Sequence, residues 1–207
     1  MTEALRERLI AVIRNDGPLM EALAYAERLD LPDWLIVSGA VYQSVWNAQT
    51  GRAPGFGLKD VDLAYFDPDV TYEAEDRVIR RVAAEAPSPL NRVMEVRNQA
   101  RVHLWFETRF GEPYDALAST RDGLERYVCP AFAVGVRLGH RGALRVEAPF
   151  GLEDVFAMTL RRNPRRRIGD EAFARAARSC LVRWPEVRVT DEGGQSPWTR
   201  IAPSPPT

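Results

Sequence analysis

Along the first thirty positions, apolar residues recur three and four apart in two sets. Leu5, Leu9, Val12 and Ile13 line one stripe, Leu19, Met20, Leu23 and Ala24 the other, and Asp16-Gly17-Pro18 divides them. That spacing puts apolar side chains on one face of a helix, so two short amphipathic helices are predicted. The pattern then changes. Trp34-Leu35-Ile36-Val37 is a continuous apolar run stopped at Ser38-Gly39, and Val41 and Val45 follow at four-residue spacing within 40–47. This reads as strand, tight turn and helix. Residues 49–58 hold three glycines and a proline and predict an irregular loop, with Gly55-Phe56-Gly57 a flexible lid beside Asp60. A strand is predicted over 61–66, closed by Asp67-Pro68-Asp69. A helix follows over 71–86, with Val78, Ile79 and Val82 inward and a stop at Pro87.

Further along, 93–96 is a short strand candidate, and Val102, Trp105, Phe106 and Arg109 favour a helix over 100–110. Segments 131–138 and 143–146, joined by Gly139-His140-Arg141-Gly142, predict a β-hairpin. Segments 152–160 and 170–184 read as helices on either side of the basic stretch 161–167, and the proline-bearing tail from Gly193 is expected to fray. Strands and helices alternate within one unit, so the class is α/β or α+β. The expected organisation is a domain over 1–158 with a helical N-terminal preface, a helical appendage over 159–192 and a tail over 193–207.

Composition narrows the classes. The 207 residues are 45% hydrophobic and 28% charged, with a net charge of −1. That is a globular balance without a global field to draw nucleic acid or acidic membrane, so a polyanion has to meet a local patch. Cys129 and Cys180 lie far apart without metal-binding spacing, which disfavours a disulfide framework or zinc site and suggests a reducing cytoplasm. Glu3 and Glu7 interrupt the basic N-terminus, so no signal peptide is expected, and no apolar run approaches the roughly 20 residues that span a bilayer.

The candidate chemistry is a Gly turn, an Asp-x-Asp and a lone acid on successive strand candidates. Ser38-Gly39 lies between strand and helix, where backbone N–H groups and the helix dipole suit a phosphate. Asp60 and Asp62, two apart in an extended segment, leave one face together and can clasp a divalent cation. Mg²⁺ favours one or two such carboxylates plus substrate phosphate oxygens. Glu95, between Met94 and Val96, completes a metal-plus-base site if its strand lies beside that of the aspartates. Of 28 basic residues 27 are Arg, so Lys59, directly before Asp60, stands out as a compact ammonium. Arg97, Gln99 and Arg101 follow Glu95 closely enough to clamp a triphosphate. Each feature alone has a plain structural explanation; their order and spacing together carry the reading.

At these residues the chain resembles a known family. IVSGAVYQSVWN, GLKDVDLAYFD and VMEVRNQARVHLWF look like small bacterial nucleotidyltransferase-like proteins once grouped as a domain of unknown function, within the DNA polymerase β-type nucleotidyltransferase superfamily. They also resemble the head domain of CCA-adding enzymes, and GALRVEAPFGLEDVF is similar to the stretch closing that domain, so the likeness covers about 33–156. The resemblance implies a polymerase β-like nucleotidyltransferase fold, a small mixed sheet flanked by helices. It implies transfer of an NMP from a nucleoside triphosphate with Mg²⁺ or Mn²⁺, Asp60, Asp62 and Glu95 being catalytic and metal-binding. Ser38, Gly39, Lys59, Arg97, Gln99 and Arg101 are then the nucleotide-binding candidates. Ser38 replaces the first Gly of the superfamily's Gly-Gly or Gly-Ser element. Tyr42-Gln43 replaces the Arg-Asp of CCA-adding enzymes, and 207 residues leave no room for their tRNA-gripping helical body. tRNA repair is therefore not expected, and the implied acceptor is a small molecule or a protein.

Two other functions stay open on the sequence. One is an inactive nucleotide-binding or regulatory module. The other is RNA binding through the C-terminal helices, since 161–188 carries nine arginines against Asp170, Glu171 and Glu186. No aromatic platform interleaves those arginines, so a solvated face is the simpler expectation.

Overall fold

The computed structural model describes residues 2–165 and 169–190, except for the side chain of His140. The expected frayed tail and the Arg166-Arg167 part of the basic stretch lie outside the described residues. The chain opens with α1 (Glu3–Arg14) and α2 (Gly17–Leu29). Asp16 separates them because its carboxylate accepts the Leu19 N–H at 3.0 Å, capping α2, while Pro18 forbids continuation of the preceding helix. Strand β1 (Leu35–Val37) leads into α3 (Gly39–Gln49), and β2 (Val61–Tyr65), α4 (Tyr72–Glu85) and the short α5 (Leu90–Val93) follow. Strand β3 (Met94–Asn98), a 3-10 turn (Gln99–Leu104), α6 (Phe106–Phe110) and α7 (Thr120–Leu124) come next. The hairpin β4 (Gly135–Leu138) and β5 (Leu144–Glu147), then α8 (Glu153–Phe156), β6 (Thr159–Leu160), α9 (Asp170–Leu181) and β7 (Arg188–Val189), complete the order.

The fold is mixed α/β. Five strands form one sheet in the order β3-β2-β1-β4-β5. Only β2 and β3 run parallel, α4 supplying the crossover; the other pairs are antiparallel. Alternation divides the two faces. Ile36, Val61, Leu63, Tyr65, Met94, Val96 and Val136 enter the main core. Leu35, Val37 and Ala64 point the other way and meet Leu124 and Ala133.

Helix α3 is the axis of the core, buried from Ala40 to Asn47. Three of its side chains are bonded into the core: Ser44 Oγ donates to Asp16 at 2.6 Å, Trp46 Nε1 to the Val155 carbonyl at 2.9 Å, and Asn47 Oδ1 accepts from Trp184 Nε1 at 3.0 Å. Phe173, Ala177, Cys180 and Trp184 share this core, so the C-terminal helix packs on the same apolar face as the sheet. A second, two-stranded ladder joins β6 to β7. No helix among the described residues is long and apolar enough to cross a membrane.

Candidate active site

The register of the sheet places the acids side by side. Val37 pairs with Asp62 across β1 and β2, and Asp62 with Glu95 across β2 and β3. Neighbouring strands lie about 4.8 Å apart, so Asp62 and Glu95 are adjacent on the face opposite the core. Arg97 follows Glu95 on that face, its guanidinium 3.8 Å from the Glu95 carboxylate. Asp60, just before β2, is exposed, and Asp62 is half-buried. Burial first, then the charges of Asp60 and Glu95, push the Asp62 carboxyl up from 3.8 to about 7, against the pull of Arg97. Asp62 therefore sits in an excess of negative charge. Glu95 leans toward Arg97, and among the described residues no three acidic, histidine or cysteine side chains converge tightly enough to hold an ion by themselves.

The turn beside this row is tighter than a glycine element requires. Ser38 sits at φ 54° and ψ −113°, a conformation that favours glycine, and turns β1 abruptly into α3. Its N–H is not free for a phosphate: it donates to the Val134 carbonyl at 2.8 Å, extending the sheet ladder. Its side chain hydrogen-bonds the Tyr127 hydroxyl. The first-turn N–H groups of Gly39 and Ala40 have no acceptor among the described residues, whereas Val41 and Tyr42 already donate to the Ser38 carbonyl. The anion-binding capacity of the turn thus belongs to Gly39 and Ala40.

Strain at Ser38 gives a testable consequence. Ser38→Ala keeps the Cβ and loses the bond to Tyr127, so it should unfold about 1 kcal/mol below wild type in urea. Ser38→Gly loses the same bond but relieves the backbone, so it should exceed the Ala variant by about 1 kcal/mol or more.

Segment 120–128 roofs this face. Leu124 packs on Leu35, Val37 and Ala64 with Tyr127 beside it. Burial and then the Asp62 charge raise the Tyr127 hydroxyl pKa. Nothing in the sequence pattern singles out Tyr127, because 111–130 has no helical or strand period to place it on a face.

The remaining candidates divide. Lys59 is exposed at the approach to β2, and Gln99 lines a cavity against Tyr127 and α9. Arg101 does not join the acid row: it ion-pairs at 3.1 Å with Glu75 of α4, both only 11% exposed, and donates to the Val70 carbonyl. Its charge is needed there because Glu75 is buried where it accepts the Asn98 N–H at 2.8 Å. In the basic stretch, Arg161, Arg162 and Arg165 ion-pair with Asp154, Asp170 and Glu125. The expected lid is also tied down: the Phe56 carbonyl accepts from Asn47 at 3.0 Å and the Gly57 carbonyl from Arg183 at 2.7 Å.

Comparison with known proteins bears on the family and the fold. The nucleotidyltransferase family matches residues 24–189. Curated proteins give no match. A solved structure described as an NMR structure that reveals a CCA-adding enzyme head domain superposes with a TM-score of 0.71 at 22% identity, covering 89% of this chain and 95% of that one. At that identity the likeness carries the fold.

Proposed function

The chain belongs to the nucleotidyltransferase family, and we propose that it moves an NMP from a nucleoside triphosphate to a small-molecule or protein acceptor at the Asp60, Asp62 and Glu95 row. The observation that carries this is the Asp62–Glu95 register, which puts two carboxylates side by side on the sheet face next to the Gly39 turn. The donor set fits a hard divalent cation, Mg²⁺ or Mn²⁺. It is all oxygen, its charge is in excess at Asp62, and two carboxylates suffice when phosphate oxygens complete the shell. When bound at Asp60 and Asp62, such an ion would neutralise the triphosphate and align it for in-line displacement.

The protein's own groups account for the rest. Gly39 and Ala40 N–H groups receive phosphate oxygens; Lys59 is exposed ahead of β2 at the turn's end of the row, and Arg97 stands beyond Glu95 at the other end. Glu95, with a side chain 54% exposed, is open to an incoming acceptor hydroxyl and takes its proton. The acceptor oxygen bonds the α-phosphorus, the bond to the bridging oxygen breaks, and pyrophosphate leaves with the electron pair. Arg101 we assign to holding β3 against α4 through Glu75.

The test is pyrophosphate release from α-labelled NTPs across a panel of hydroxyl acceptors. Label transferred to an acceptor with Mg²⁺, and lost in EDTA, is the expected result. Tight metal-dependent NTP binding with no release from any acceptor would favour the inactive module instead.

A further inference from the structure

Between the start of α2, the middle of α3 and the 55–58 segment lies a small cavity of about 10 Å³, room for one water-sized particle. Its polar lining is buried: Asp16 is 5% exposed, Gln43 7% and Ser44 6%. What these groups present is acceptors. Asp16 takes the Leu19 N–H on one carboxylate oxygen and the Ser44 hydroxyl on the other, and no arginine, lysine or histidine among the described residues ion-pairs with it. Ser44 shares its one proton between Asp16 at 2.6 Å and the Ala40 carbonyl at 2.8 Å, so only lone pairs remain to it. Gln43 Oε1 is buried without a hydrogen-bond partner. The orientation of that amide is set from its other end, where the Tyr42 hydroxyl donates to Cys180 and accepts from Gln43 Nε2 at 3.4 Å. Asn47 also lines the cavity but is satisfied on both atoms, by the Phe56 carbonyl and by Trp184.

We propose that this cavity binds a monovalent cation, Na⁺ or K⁺, coordinated by the Asp16 carboxylate, Gln43 Oε1 and Ser44 Oγ. A water there would satisfy acceptors and leave the buried charge unanswered, whereas a cation answers both. The helix end that Asp16 caps offsets only about half a charge. One carboxylate among neutral oxygens balances a single positive charge. Mg²⁺ keeps several waters in an octahedral shell and Ca²⁺ takes about six to eight oxygens, and a cavity for one particle admits neither arrangement. The ion ties α2, α3 and the 55–58 segment together. It does so behind the turn that carries the Gly39 and Ala40 N–H groups, where a Cβ on Gly39 would stand 3.1 Å from Gln43 Nε2. This site is separate from the acid row, and it does not depend on nucleotidyl transfer.

Thermal melts of the full chain in NaCl, KCl and choline chloride at one ionic strength test it, choline being too large to enter. At about 100 times its Kd, Na⁺ or K⁺ should raise the melting temperature by about 5 °C or more relative to choline. The ion that does so at the lower concentration is the occupant. Gln43→Leu removes the neutral oxygen at similar volume, and Asp16→Asn removes the charge while keeping a capping oxygen. Each should shrink the difference between salts to less than about 1 °C. Melting temperatures of the wild-type chain that coincide in the three salts overturn the proposal, and so does a Na⁺ or K⁺ effect that persists in either variant.

Discussion

Asp62→Asn should lower Mg²⁺-dependent NTP affinity at least about 100-fold while raising the melting temperature of the ligand-free protein by roughly 2–4 °C. Both effects have one cause. Asp62 is held on a half-buried face beside Asp60 and Glu95, where its charge is opposed by burial and by its neighbours. A cation relieves that opposition; without one the folded state bears it. An amide fills the same space without the charge, so folding improves as ligand binding is lost. The pH dependence fixes the sign. Folding raises this carboxyl from 3.8 to about 7, so between those values the folded chain holds a proton that the unfolded chain has released. Stability then declines as pH rises through that interval, and the penalty is complete above about 7. The stabilisation by Asp62→Asn should accordingly be largest at pH 8 and vanish near pH 4, as thermal melts of both proteins at those pH values would show. A variant that loses NTP binding and is destabilised at every pH would mean that Asp62 supports the fold instead.

Trp184→Ala should cost about 4 kcal/mol and lower the melting temperature by roughly 10 °C. The indole is fully buried, makes edge contacts with Trp46 at 5.5 Å and Phe56 at 5.9 Å, and donates to Asn47 Oδ1 at 3.0 Å. Truncation leaves a cavity and an Asn47 oxygen without its donor, two penalties at the centre of α3. Gly57 depends on the same ring: at φ +74° it passes so close that a Cβ would stand 2.9 Å from the indole. Trp184→Phe keeps much of the apolar volume and loses only the N–H, so it should cost less than half as much. Because Trp184 bridges the C-terminal segment to the central helix, the Ala variant should still unfold in one transition, seen together by circular dichroism and tryptophan fluorescence. Two separate transitions would show that 159–190 folds as an independent appendage.

Local signals served the elements bounded by breakers or strong periodicity. The Asp16-Gly17-Pro18 break, the 61–66 strand and the 71–86 helix appear as α1/α2, β2 and α4 with shifts of one or two residues. Where partners lie far along the chain, the local pattern misled. The helix expected over 152–160 stops at Phe156, because Met158 turns through φ 50° and Thr159–Leu160 pairs with Arg188–Val189. The 100–110 helix begins as a 3-10 turn, since the Asn98 side chain accepts from Ala100 and Asn98 also ties β3 to the Asp67 loop.

At the site, Asp60, Asp62 and Glu95 were legible as residue types in order, and their adjacency was conditional on strand pairing that only the crossover through α4 decides. Ser38 and Gly39 were legible as a turn, but the division of labour was not: the Ser38 N–H goes to Val134, a residue almost a hundred positions away. Arg101 looked equivalent to Arg97 by proximity to Glu95, and its pairing with Glu75 depends on how α4 packs. Tyr127 left no trace in periodicity because its role comes from a roof without regular structure.

The central claim is that a divalent ion and a triphosphate meet between the aspartates and the α3 turn. Anomalous diffraction from crystals grown with Mn²⁺ and a non-hydrolysable NTP tests it most directly. The account predicts a manganese peak in contact with the Asp60 and Asp62 carboxylates, with phosphate oxygens at the Gly39 and Ala40 N–H groups. A nucleotide seated elsewhere, or a peak that touches neither aspartate, would contradict it.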